Sequence, residues 1–243
     1  MVAQIGPAIE ALDTPVAVSS VAVAPATNPQ LSPDLLDALT SPAHLKNGLL
    51  RLEPGRVVGL VGHPGFGLTR IGLSLLAAHA GRAPVAYLDV RGWLCPVAAW
   101  ESGVDPEQLV VVRCEDPVRW GRALMALLEG VGWIYAEVPR GVKEAQLRRI
   151  AGLVRNRRSS LILRPIHGDL PSGVAFLRLQ AEEVDWVGAD RGHGRLTSRV
   201  LSFAATGKAT RGMTRSIEVE DDGTDALRLV SGLAATPPGR ATG

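Results

Sequence analysis

An α/β fold is what this sequence predicts, with a mostly parallel twisted sheet, helices on both faces and antiparallel strands at the C-terminal end. Three observations carry that expectation. From Val57 to Leu163, short apolar runs alternate with longer stretches of helical periodicity, the pattern of a parallel sheet buried on both faces. Beyond Pro165 the helical stretches stop, and apolar runs separated by turn residues take over. At the first strand-to-helix junction stands a glycine-rich turn, 62–69, of the kind whose backbone cradles phosphate groups.

In chain order, residues 1–30 are rich in Ala, Val, Pro, Ser and Thr and nearly free of charge. They bury too little surface to offset ordering entropy, so a disordered arm is expected. Ser32-Pro33-Asp34 has the form of a helix start, with proline in the first turn, and opens a short helix over 34–39. The run 49–52 leads to a first core strand at 57–61. A helix over 68–80, a strand at 85–89, a short helix at 96–102 and a strand at 109–112 follow. Next come a helix at 117–129, a strand at 133–138, a helix at 143–155 and a strand at 161–163. Strands are then predicted at 174–181, 186–187, 194–204, 215–219 and 226–230, with Asp221-Asp222-Gly223 as a hairpin turn. A single domain should therefore span 31–232, with its core at about 48–205 and its antiparallel strands at about 186–231, before a disordered Pro/Gly/Thr-rich tail over 233–243.

Composition narrows the class. Hydrophobic residues at 46% and charged residues at 21% are ordinary for a globular domain of this size. No apolar run reaches the roughly 18 residues of a membrane span, and the N-terminus lacks the basic and apolar regions of a signal peptide. A net charge of +2 is too mild to name nucleic acid as a partner by itself. Cys95 and Cys114 have neither disulfide nor metal spacing, which suits a reducing cytoplasm, and Cys95 is expected to be a small buried hydrophobe. His63, His167 and His193 stand far apart without ligand spacing, so no metal site is expected.

The turn Gly62-His63-Pro64-Gly65-Phe66-Gly67-Leu68-Thr69 fits the frame G-x-x-x-x-G-K-[ST] at every fixed position but one. Leu68 fills the lysine slot, and leucine can neither neutralise β/γ-phosphates nor stabilise charge developing during transfer. What survives is the backbone nest, so Gly62, Gly65, Gly67 and Thr69 are candidates for residual nucleotide binding.

With that turn in place, Val85-Ala86-Tyr87-Leu88-Asp89, then Leu94, Pro96-Val97 and Gly103-Val104-Asp105, resemble the second core strand and following loop of RecA-type recombinases. The next strand, Leu109-Val110-Val111-Val112, resembles theirs as well, and the similarity runs from about residue 48 to 205. The resemblance implies a RecA-like P-loop core. It also implies a catalytic glutamate two residues after Asp89, where this chain has Arg91, a side chain that cannot accept a proton from water. The family's magnesium-binding aspartate corresponds to Glu137, and its polar sensor to the region Leu163-Arg164-Pro165. With Leu68 and Arg91 both at the reactive centre, no hydrolysis and no cofactor are expected.

RecA-like proteins without a working ATPase include the ImuA/SulA-like group, which this chain resembles in its degeneracy, its size and its short C-terminal region. That resemblance implies a non-catalytic accessory factor of DNA-damage-induced mutagenesis in the cytoplasm or at the nucleoid. It would work beside an ImuB-type Y-family polymerase homologue and an error-prone polymerase, with RecA as a further candidate partner and self-association open. Three alternatives stay open: a SulA-like division inhibitor, a DNA-binding recombination mediator, and a true ATPase whose lysine comes from Lys46 or Lys208. For partner or DNA contact the candidates are Arg91 and Trp93, then Arg148, Arg149, Arg155, Arg157 and Arg158 on the basic helix, and Arg211 and Arg215 near the C-terminus.

Overall fold

The computed structural model describes residues 52–79, 83–188, 195–222 and 227–235. The expected arm at 1–30, the helix at 34–39, Lys46, Gly223 of the hairpin turn and the chain beyond 235 lie outside the described residues.

Among the described residues, nine strands form one sheet in the order β3-β2-β4-β5-β1-β6-β7-β8-β9. They are β1 (Val57–Val61), β2 (Val85–Asp89), β3 (Leu109–Arg113), β4 (Trp133–Val138), β5 (Ser160–Pro165), β6 (Leu177–Val187), β7 (Ser198–Gly207), β8 (Arg215–Asp221) and β9 (Arg228–Ala235). Pairing is parallel from β3 through β6 and antiparallel from β6 through β9. The helices are α1 (Leu68–Ala77), α2 (Pro96–Glu101), α3 (Pro117–Gly130) and α4 (Glu144–Arg157). Among the described residues no helix is long and apolar enough to cross a membrane.

Strict alternation along the parallel strands builds two cores, because successive side chains point to opposite faces. On one face Leu68, Ile71, Leu73 and Leu76 of α1 pack on Val58, Leu60, Tyr87, Tyr135 and Ile162. On the other, Trp120, Leu124 and Leu128 of α3 and Leu147, Ile150 and Val154 of α4 pack on Val57, Ala86, Ile134, Leu161 and Leu163. Local chemistry sets the helix ends. Asp116 caps α3 by accepting from the N–H groups of Val118 (3.1 Å) and Arg119 (2.7 Å), with Pro117 in the first turn.

The C-terminal strands differ from expectation in extent. Predicted strands at 174–181 and 186–187 are one long β6, with a register shift between Ala181 and Glu183 where the strand leaves the core. The exposed pair Glu182-Glu183 interrupts the apolar pattern without interrupting the ladder. Likewise β9 carries the sheet to Ala235, into residues where a tail is predicted.

Gly72 lets α1 approach β4 closely. A Cβ there would lie 2.0 Å from Cε2 of Tyr135, whose ring stacks on Tyr87 with centroids 4.5 Å apart. Although alanine favours helix by about 1 kcal/mol over glycine, overpacking should win. Gly72→Ala is expected to destabilise the protein by about 1–3 kcal/mol in denaturant unfolding.

Candidate functional site

The carboxyl edge of the parallel strands carries a row of charged side chains on the face covered by α1. Asp89 ends β2, Glu137 lies near the end of β4, and Arg164 lies opposite Glu137 in the β4–β5 register. All three are buried, with Glu137 at 0% exposure. Charges so deep must be met by partners, and the partners decide what the site can do.

Glu137 has no acceptor capacity to spare. Its Oε1 accepts from the Tyr87 hydroxyl at 3.2 Å and from the Arg91 side chain through Nε at 3.0 Å and through Nη2. Its Oε2 accepts from the main-chain N–H groups of Val90 (3.1 Å) and Arg91 (3.2 Å). Burial works against the Arg91 charge, but the bond to Glu137 outweighs it, and the Arg91 pKa lies above the ordinary arginine value. Burial, reinforced by Tyr135 and Glu137, pushes the Tyr87 hydroxyl well up, so it stays protonated and able to donate. Asp89 is a structural cap, accepting from the N–H groups of Trp93 (3.1 Å) and Leu94 (3.2 Å), with Arg113 at 3.6 Å.

The glycine turn places two of its glycines in the left-handed region of backbone space. Gly65 and Gly67 have positive φ (96° and 65°), and Gly67 opens α1 by accepting from the N–H of Ile71 at 3.0 Å. Its side chains are committed elsewhere. Leu68 is 1% exposed and points into the core, close enough that a Cβ on Gly62 would meet its Cδ1 at 3.4 Å. The Thr69 hydroxyl accepts from Nη1 of Arg164. At the mouth of the loop, Arg199 of β7 lies near Gly67 but bonds Asp221 through Nε (2.9 Å) and Nη2 (2.7 Å), and Arg70 reaches the same carboxylate at 3.1 Å.

A magnesium–nucleotide group does not fit these residues. The two side chains that would hold the ion, Thr69 and Glu137, each hold a guanidinium, and the lysine position is part of the core. Among the described residues no group of His, Cys, Asp and Glu could hold a metal ion. Lys208 cannot supply the missing charge: it lies beside Gly55 and Arg56, at the end of β1 opposite the loop.

The loop after β2 converts this buried pair into a surface feature. Arg91 bonds Glu137 with its edge, and its guanidinium carbon stands 4.6 Å from the centroid of the Trp93 ring. Trp93 is 68% exposed, and Val97 and Trp100 of α2 are exposed with it. Cys95, expected to be buried, is exposed beside them. Of the other tryptophans, Trp120 is buried and donates to the Glu137 main-chain oxygen at 2.6 Å, and Trp133 stacks on His79.

Residues 50–168, just under half of the chain, are similar to the family described as the MT3502 N-terminal domain. The matched segment holds β1 to β5, and with them the glycine turn, Arg91, Glu137 and Arg164. No curated protein matches the chain.

The basic candidates divide. Arg157 pairs with Glu129 at 3.3 Å, Arg158 caps α4 in the left-handed region (φ 55°), and Arg149 is exposed on the same helix. Arg215 lies half-buried on β8. Arg148, Arg155 and Arg211, distant in sequence, line neighbouring cavities at the amino end of β1. Four residues of the site were not among the predicted site residues, although Tyr87, Val97 and Arg164 stand in segments that carry the resemblance. Nothing in the chain paired Tyr87 with Glu137, fifty residues on. For Arg164 the signal was its place just after the apolar run 161–163, where a buried arginine needs a partner. Val97 and Trp100 follow Trp93 at helical spacing, a pattern visible in the chain.

Two substitutions test the geometry. Leu68→Lys, which restores the phosphate-loop consensus, should cost about 4 kcal/mol, because a lysine this deep loses about three pKa units of charged-state solvation. It should yield no ATP hydrolysis. Arg91→Ala should cost about 2–3 kcal/mol in urea unfolding, less than an ordinary broken buried pair, since Tyr87 and two N–H groups still serve Glu137.

Proposed function

We propose that this chain is a non-catalytic RecA-like accessory protein of DNA-damage-induced translesion synthesis, an ImuA-type factor that bridges an ImuB-type polymerase homologue and an error-prone polymerase. One observation carries the non-catalytic part: Arg91 occupies the carboxylate that would hold magnesium. The RecA-like part is supported by position. The glycine turn follows the internal strand β1, and Glu137 and Arg91 sit at the same carboxyl edge, where open α/β sheets bind ligands.

The mechanism is presentation. Trp93, Val97 and Trp100 offer large apolar side chains to a partner, and the Arg91 guanidinium stands over the Trp93 ring. Exposed tryptophan braced by arginine is the composition of an interface hot spot, and preorganisation lowers the entropy lost on association.

Magnesium-dependent ATP binding and hydrolysis, measured with and without single-stranded DNA, should both be absent; DNA-stimulated turnover would overturn the reading. In pull-downs, a polymerase accessory protein should be retained and a cell-division protein should not. Trp93→Ala with Trp100→Ala should weaken that capture by about 2 kcal/mol or more, some thirtyfold, while leaving the unfolding midpoint within about 0.5 kcal/mol of the parent.

A further inference from the structure

Strand β6 outruns its neighbour. It pairs with β1 only from Leu177 to Gln180, and Val61, opposite Gln180, is the last residue of β1. From Glu183 to Val187 it still pairs with β7, but among the described residues nothing pairs with its other edge beyond Gln180. The segment 182–187, about 20 Å of strand, therefore leaves main-chain N–H and C=O groups open, because alternate residues direct theirs away from β7. This edge begins beside the glycine turn, where a Cβ on Gly62 would lie 2.7 Å from Cβ of Ala181.

The side chains of the segment divide by face. Val184 and Trp186 stand opposite Leu201 and Arg199, on the face covered by α1, and the Arg199 guanidinium carbon lies 5.4 Å from the Trp186 ring centroid. Trp186 is nonetheless 53% exposed. The opposite face carries Glu183, Asp185 and Val187, all exposed, and the register shift leaves Glu182 exposed and unpaired. Glu182, Glu183 and Asp185 have no ion-pair partner among the described residues, and the segment contains no cation. Glu218 and Glu220 of β8 continue the same face but have contacts of their own, so the three acids of β6 are the ones left to meet a ligand.

We infer that the β6 edge from Glu182 to Val187 accepts an extended, basic segment of a partner protein as an added strand. An open edge bonds any extended chain through its main chain, so alternate side chains decide which one stays. Here one face calls for Lys or Arg beside Glu183 and Asp185, and the other for an apolar residue beside Trp186. The same acids turn away a second copy of this chain. Two such edges meeting would gather three carboxylates from each copy with no cation between them, and like charges destabilise a cross-strand pair. Acids that served only to guard the edge would leave it polar, yet Trp186 and Val187 expose apolar surface there. The site does not depend on the accessory role proposed above, and β4, β5 and β1 separate it from the strand that leads to Trp93.

The test is fluorescence anisotropy of the full chain with a labelled peptide of alternating Lys and Val, joined to hydrogen exchange of the main chain. In the free chain the outward amides of 182–187 should exchange readily; the peptide should bind, protect them, and bind less well as salt rises. A peptide of equal charge with Pro in place of Val should bind about tenfold more weakly or worse, since proline cannot donate to a ladder. Glu183→Lys with Asp185→Lys should weaken the Lys-Val peptide by about tenfold or more. The same variant should gain affinity for a Glu-Val peptide, which an unfolded chain could not do, and should keep Trp93-dependent partner capture. The inference is overturned by no binding, by equal binding of the Pro or Glu-Val peptide to the parent, or by an unchanged affinity in the double variant. Amides of 182–187 already protected in the free chain would overturn it too: protection lost on dilution would assign the edge to a second copy, and protection that persists would assign it to another segment of this chain.

Discussion

The carboxylate of Glu137 sets the terms for everything around it. A negative charge with no solvent access must be met by fixed donors, and the chain supplies them from one short segment, Tyr87 to Arg91, plus the side chain of Arg91 itself. Because those donors come from β2 and the loop after it, neutralising Glu137 also fixes the path of the chain towards α2. Asp89 holds the next stretch of that loop by capping Trp93 and Leu94. Two buried acids thus specify the shape of an exposed aromatic surface.

The same economy recurs at the loop before α1. Arg164 satisfies Thr69, and Arg199 and Arg70 share Asp221. In each case an arginine, whose planar fork can bond two atoms at once, holds a side-chain oxygen at or beside the turn. The backbone of the turn keeps its left-handed glycines, since strand-to-helix geometry requires them whatever the side chains do.

How much of this was legible in the chain depends on what each signal measures. Apolar periodicity located β1 to β5 and their helices within a few residues, because strands buried on both faces leave nothing to confuse the pattern. It failed at Glu182-Glu183, where β6 runs out past the core and hydrophobicity no longer reports pairing. The substitutions at Leu68 and Arg91 were visible as departures from a frame. Their destinations were not: that Leu68 turns into the core and Arg91 turns back onto Glu137 follows from packing and register, which separation in sequence hides. The meeting of Arg56, Arg148, Arg155, Lys208 and Arg211 is likewise a product of topology, since β6 must return beside β1 to bring the last two to the first three.

A guanidinium tied to the chain differs from a magnesium ion in one further respect: it has no concentration. An ion-held loop samples bound and free states in proportion to metal and nucleotide supply, and a machine can use that alternation as a clock. The contact between Arg91 and Glu137 has no such external variable. Its occupancy is set within the molecule, so the surface raised on it is in place once the chain folds.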